Sequence, residues 1–379
     1  MTRSVDVKNL KHVPIIDLAG QYTDIKEEIE NVVLKVLSSG HYILGKNVEA
    51  LELELANYIG CKYVTSCANG TDAITLALMS LDIKPQDEII TVSNSFFATS
   101  EAIALVNAKP IFVDIQENDF NIDPLKIERL ITKKTKAIIP VHLYGFPCDI
   151  ALVTEIAKKY GLYVIEDCAQ AIGAKFNGKN VGTFGDAGTI SFFPTKNLGA
   201  CGDAGAIFTD SENIAQRVKQ LRVHGSPKRY VHDFVGLNSR LDELQAAILR
   251  VKLRYLNKWN LERQKAAKYY DKLLKDIKEI TIPYVKPGSQ HVFHQYTIRL
   301  NNRDFLYESL REKSIEALIY YPIPIHMQKA FSYLNYKKGS LPVTEKICNE
   351  ILSLPFYPEI EESTQEYIVA NIKSILAEV

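Results

Sequence analysis

The chain has 379 residues, 46% hydrophobic and 24% charged, and its 45 basic and 45 acidic side chains give a formal net charge of zero. Such a composition suits a globular protein long enough for two domains and a large core, and its balanced charge exerts no general pull on nucleic acid or an anionic membrane. The six cysteines include no C-x-x-C pair, and neither a membrane-length apolar run nor an apolar core in the first ten residues is present; no disulfide framework or metal site and a cytoplasmic location are therefore expected.

In chain order, residues 1–40 carry an amphipathic helical pattern, "DLAGQYTDIKEEIENVVLKVLSSG", expected to pack on the C-terminal part. From residue 60 to 210, short β-branched runs alternate with helical stretches. The strand candidates are "KYVTSC", "EIITVS", "PIFVDI", "AIIPVHL", "LYVIEDC", "GTISFF" and "AGAIFTD". Several are almost wholly apolar, as in a sheet covered on both faces. Helical patterns such as "DAITLALMSL" and "DIALVTEIAKKYG" lie between them, the second ended by a glycine. The alternation predicts a doubly wound α/β domain over residues 41–250, with ligands at the carboxyl ends of the strands.

After residue 240 a long helical region, broken once, leads into a smaller α+β segment, residues 251–379, containing "HQYTIRL", "IEALIYYPIPI" and a last helix from about residue 363. Leu241, Leu244, Ala247 and Ile248 follow helical spacing and are expected to form a face buried near a subunit contact.

Three strand ends carry unusual chemistry. "CANGTDAITLAL" runs from a strand through Asn69, Gly70 and Thr71 into a helix. Free N–H groups there suit a phosphate dianion, although Asn69 or Thr71 equally suits a helix cap. "LYVIEDCAQA" ends a strand on Glu166 and Asp167, and a buried carboxylate needs a partner: an ion pair, a helix, or a protonated heteroaromatic nitrogen. "SFFPTKNLGACGDAGA" places Ser191 and Lys196 in a region holding six of the 19 glycines, which lets the backbone turn sharply and approach a ligand. An amine, an acid and a phosphate cradle on neighbouring strand ends together describe pyridoxal 5'-phosphate, with Lys196 as the Schiff-base lysine.

These stretches, with "SGHYILGKNVEALE", "PVHLYGFPCD", "HGSPKRYVHDFVGLNSRLDELQAAIL" and "LPFYP", resemble the DegT-type nucleotide-sugar aminotransferases over essentially the whole chain. The resemblance implies an aspartate-aminotransferase-like (fold type I) α/β architecture: a large domain with a seven-stranded, mainly parallel sheet, and a smaller α+β C-terminal domain. It implies that Lys196 bonds the cofactor and Asp167 pairs with its ring nitrogen. Gln170 then lies near the ring hydroxyl and Phe96 stacks on the ring. Gly70, Thr71 and Ser191 hold the phosphate, with Asn238 reaching it from the second subunit of a homodimer.

The opening "VPIIDLAGQYTDIKEEI" looks most like the branch acting on dTDP-3-keto-6-deoxyhexoses, with L-glutamate as amino donor. A 4-keto sugar or a UDP-linked 3-keto-2-acetamido sugar is the alternative. Lys228 and Arg229 suit a nucleotide diphosphate or form a solvated basic turn. Tyr42, His142 and His326 are further substrate-pocket candidates. Tyr320-Tyr321-Pro322 stands where many relatives have His-Tyr-Pro, and Leu237 where tyrosine is frequent, so both positions are expected to border the sugar-nucleotide pocket.

Overall fold

The structure is a computed structural model and describes residues 12–378. Each of the seven β-branched runs forms a strand: β1 Tyr63–Cys67, β2 Glu88–Val92, β3 Lys109–Val113, β4 Thr135–Ile139, β5 Tyr163–Asp167, β6 Ala187–Ser191 and β7 Gly205–Thr209. They build one sheet in the order β1-β7-β6-β5-β4-β2-β3, in which β7 alone runs antiparallel to its neighbours. Parallel neighbours need crossovers, and helices supply them.

The helices are α1 Leu18–Asp24, α2 Lys26–Ser39, α3 Lys46–Ile59, α4 Gly70–Ser80, α5 Ala98–Leu105, α6 Ile150–Tyr160, α7 Glu212–Leu221, α8 Glu243–Leu253, α9 Leu256–Leu274, α10 Arg303–Glu312, α11 Pro342–Glu350 and α12 Glu362–Leu376. Their ends follow the local chemistry. Asn69 caps α4 through a bond from the Asp72 amide (2.8 Å), and Gly161 ends α6 at φ 65°, where a side chain would be strained.

Alternation along the strands explains how one sheet serves two cores. Ile138 and Val164 face the layer holding Val153 and Ile156, whereas Ile139 and Ile165 face Ile74, Leu76 and Leu78 of α4. Because side chains alternate with period two, Asp167 shares the α4 side with Ile165, while Glu166 points the other way. Two adjacent acids at one strand end thus meet different surroundings.

The smaller unit pairs β8, Tyr296–Arg299, with β9, Ile351–Leu354, antiparallel. Its core joins Tyr270 of α9, Leu306 and Leu310 of α10, and Ile368 and Ile372 of α12. The N-terminal segment divides between the two units. Val13 exchanges backbone bonds with Ser314 and Glu316 and enters this small core. Helix α2, by contrast, lies on α8 and the start of α9: its Ile29, with Ile25 just before it, packs with Ile248, Val251 and Trp259. The segment expected to pack on the small domain thus meets Val251 and Trp259, at the start of residues 251–379, as well as Ile248 just before them.

The apolar stripe after residue 240 is largely buried as well. Ile248 is covered by α2, Leu241 packs with Val48, Leu51 and Leu55 of α3, and Ala247 is buried too. Most of this stripe is consumed within its own chain.

Candidate active site

A cavity of about 470 Å³ opens at the carboxyl ends of β1, β5 and β6. Its wall includes Gly70, Thr71, Phe96, Asp167, Gln170, Ser191 and Lys196, so these seven sequence-derived residues share one space. Strand-end topology brings them together from positions as distant in the chain as 70 and 196.

One end is built for an anion. The first-turn amides of Gly70 and Thr71 have no acceptor among the described residues. A Cβ on Gly70 would stand 2.6 Å from the Ser191 Cβ, so only glycine allows the end of β6 to close on the start of α4. The arrangement gathers amide dipoles, the Thr71 hydroxyl and the Ser191 hydroxyl at a helix N-terminus. Asn69 also caps α4, so cap and anion cradle coexist here.

Asp167 is 4% exposed and makes no ion pair among the described residues. Its Oδ2 accepts from Thr99 Oγ1 at 2.8 Å and its Oδ1 from the Ala169 amide at 3.1 Å. Thr99 spends its proton on the carboxylate, so Ser95 Oγ, 2.9 Å away, donates to Thr99. A directed chain of two hydroxyls orients the acid.

Lys196 follows a tight turn in which its amide bonds the Phe193 carbonyl (2.8 Å). Burial pushes its amine down to about 8, against the attraction of Asp167. A lysine with a much reduced pKa, no hydrogen-bond partner among the described residues and a place in a cleft is chemically a nucleophile in waiting. Gln170 is fixed at both ends: its Oε1 accepts from the Tyr144 amide (2.6 Å) and its Nε2 donates to Tyr321 Oη (3.2 Å). The Phe96 and Tyr321 rings lie 5.9 Å apart, and Tyr320 adds to the same wall. Burial holds the Tyr321 hydroxyl well above the usual phenol range, so it stays protonated.

The remaining candidates lie elsewhere. His142 is fully buried: its Nδ1 accepts from the Cys148 amide (3.1 Å), which leaves Nε2–H to donate to Glu166 (3.1 Å). Glu166 also accepts from the Gly182, Phe184 and Gly185 amides (2.8, 2.7 and 2.9 Å). The pair therefore anchors the loop ahead of β6, and His142 does not line the cavity. His326 is likewise buried, bonded to Ser93 Oγ through Nδ1 (2.7 Å) and to Glu345 through Nε2 (3.1 Å), and does not line the cavity.

Tyr42 is 46% exposed and donates to the Leu37 carbonyl at 3.2 Å, away from the cavity of its own chain. Lys228, Arg229 and Asn238 are exposed on and beside a surface loop and do not line that cavity either. Sequence reading missed Thr99, Ser95 and His294. Thr99 follows closely on Phe96 in "NSFFATS", where a hydroxyl in the first turn of the helix after β2 was a usable signal. His294 carried none, because "HQYTIRL" reads simply as a strand.

Residues 23–373 match the DegT/DnrJ/EryC1/StrS aminotransferase family. The chain belongs to that family. It is 50% identical to a "Pleiotropic regulatory protein" of Geobacillus stearothermophilus over 95% of this chain and 98% of that one. It is 46% identical to a dTDP-3-amino-3,6-dideoxy-alpha-D-galactopyranose transaminase of Aneurinibacillus thermoaerophilus, again over 95% and 98%. Among solved structures it resembles DesV of S. venezuelae with a TM-score of 0.94 and 37% identity, covering 96% of this chain and 98% of that one. The protein is thus a fold type I sugar aminotransferase that depends on pyridoxal phosphate. Its cavity fits that group: an amine for the aldehyde, an unpaired buried acid for the ring nitrogen, and open helix amides for the phosphate.

Proposed function

We propose that the enzyme moves the amino group of L-glutamate to C-3 of a dTDP-3-keto-6-deoxyhexose, giving a dTDP-3-amino-3,6-dideoxyhexose, as a cytoplasmic homodimer. The observation that carries the chemistry is the meeting of Lys196 and Asp167 in one cavity. The choice of sugar is supported by the 46% identity to the Aneurinibacillus transaminase and by the opening "VPIIDLAGQYTDIKEEI".

In this reading Lys196 binds the cofactor, and Gly70, Thr71 and Ser191 hold its phosphate, completed by Asn238 of a second subunit. Gln170 sits by the ring hydroxyl and Phe96 covers one ring face. When bound, pyridoxal phosphate supplies an aldehyde that carries the amino group and a ring that takes up the electron pair released at the substrate carbon. Asp167, oriented by Thr99, remains a carboxylate and keeps the facing ring nitrogen protonated. Lys196, freed by the incoming amine, takes a proton at Nζ and returns it to the neighbouring atom. Burial serves that step by leaving a sizeable fraction of the amine neutral near pH 8. Tyr320 and Tyr321 border the sugar, and Lys228 and Arg229 meet the diphosphate from the partner subunit.

A UDP-linked 3-keto-2-acetamido sugar is the second reading. It is supported by 44% identity to a UDP-N-acetyl-3-dehydro-alpha-D-glucosamine 3-aminotransferase of Acidithiobacillus ferrooxidans, over 96% of this chain and 98% of that one. A cofactor-binding regulator without turnover is disfavoured by the presence of Lys196. Mass analysis of the amino sugars made from a panel of dTDP- and UDP-linked 3-keto and 4-keto sugars with glutamate separates these readings. Turnover confined to UDP sugars, or to 4-keto sugars, overturns the first.

A further inference from the structure

His294 lies on the same cavity wall as Lys196, yet nothing above uses it. Its hydrogen bonds fix its tautomer. Asn197, next to Lys196 in the chain, donates both Nδ2 hydrogens, one to Asn260 Oδ1 (2.8 Å) and one to the Val292 carbonyl (3.0 Å). Turning that amide over would set its oxygen against the Val292 carbonyl oxygen. Asn260 is itself held by donating to the Ile172 carbonyl (3.0 Å). Asn197 Oδ1 is therefore an acceptor, and the atom 3.2 Å from it, His294 Nδ1, carries the hydrogen.

The consequence is a bare lone pair on His294 Nε2, which has no partner among the described residues. Lys196 Nζ likewise has none. One wall of the cavity thus holds an unused acceptor and an unused donor, joined through Asn197, whose backbone adjoins Lys196. The backbone of His294 is pinned as well, its amide bonding the Tyr144 carbonyl at 2.8 Å.

The geometry points to His294 as a positioning residue whose Nε2 accepts a hydrogen bond from the Lys196 ammonium whenever Lys196 holds the travelling proton. This rests on Lys196 being the reacting amine. No covalent bond changes at His294: the proton resides on Lys196 Nζ, and the imidazole only accepts from it. Burial, with the charges of Lys196 and Arg263, keeps the ring neutral by holding it well below the usual imidazole range. Other ionisable groups facing Lys196 from the cavity wall are Asp167, Asp203, Tyr320 and Tyr321. Asp167 already favours the ammonium by charge, and His294 adds a directional acceptor where the acid is engaged by Thr99 and Ala169.

The test uses the full chain loaded with pyridoxamine phosphate, in which Lys196 is a free amine. Acetylation of Lys196 is followed against pH by peptide mass. The midpoint should lie near 8 in the wild type. It should fall by about one pH unit in His294→Leu, as expected for losing one hydrogen bond to a charged donor, and return to within a few tenths in His294→Gln, which restores an acceptor. An unchanged midpoint in His294→Leu, or an equal fall in both variants, overturns the proposal. If His294→Leu does not fold, ¹⁵N-histidine spectra of the wild type, assigned through His294→Gln, decide the matter. A bare Nε2 whose resonance shifts as Lys196 titrates supports the contact, and an Nε2–H tautomer overturns it. Borohydride reduction of the pyridoxal-phosphate form, with peptide mapping, tests the underlying reading separately: cofactor fixed on another lysine overturns the role of Lys196, whatever His294 does.

Discussion

Thr99 Oγ1 donates a hydrogen bond to Asp167 Oδ2 at 2.8 Å, inside a site where the acid has no cation to pair with among the described residues. A hydrogen bond to a charged group contributes about 1.5–3 kcal/mol net. Thr99→Val keeps shape and removes that donor. The expected result is a bound cofactor with single-turnover rates reduced about ten- to a hundredfold, measured by stopped-flow absorbance. Unchanged rates would mean that the Ala169 amide alone orients the acid.

Asp167→Asn tests the acid itself. A neutral partner no longer favours a protonated ring nitrogen, so both half-reactions should slow by roughly a hundredfold or more while cofactor still binds. If rates in single turnover stay at the wild-type level, another group holds that proton.

The pH dependence follows from Lys196. Its folded-state pKa is lowered by burial to about 8, so the neutral amine predominates above that value and falls about tenfold per unit below it. Covalent capture of added pyridoxal phosphate by the apoprotein should therefore accelerate from pH 6 upward and level off above about 8. A rise continuing toward pH 10 would show an ordinary, solvated lysine, and Lys196→Ala should show neither capture nor turnover.

Glu166 and His142 show where sequence legibility stopped. The seven strands were readable because β-branched apolar runs of that length have few other uses, and the strand-end rule then selected Asp167, Lys196 and Gly70. Strand alternation could have told Glu166 from Asp167, but not which side faced the cavity. The partners that occupy His142 and His326 come from other elements, up to 233 positions away in the bond between Ser93 and His326. No local pattern announces such a bond. Glu166→Gln replaces an acceptor of four donors with an amide that must turn its own N–H toward another N–H. Stability should fall by about 3 kcal/mol in denaturant titrations, with kcat of the remaining folded enzyme little changed. A selective loss of kcat at unchanged stability would return His142 and Glu166 to the active site.

The last prediction concerns assembly. Asn238 is exposed and lines no part of its own chain's cavity, and the loop before it holds Tyr230 82% and Val235 91% exposed. Large apolar side chains standing in solvent beside a basic pair are costly unless a partner covers them. Most of the apolar stripe after residue 240 is already covered by α2 and α3, so the expected subunit contact falls on this loop. A symmetric dimer would bring each loop to the neighbouring cavity, so that both sites close with one self-complementary interface. Lys196→Ala and Asn238→Asp should each be inactive alone, the second because its carboxylate repels the phosphate. In a mixed dimer one site collects both lesions and the other keeps native Lys196 with native Asn238. Subunit exchange, verified by native mass spectrometry, should then restore up to about half of the activity per mixed dimer, following from one intact site in two. Verified exchange with no recovered activity would place Asn238 outside the neighbouring site.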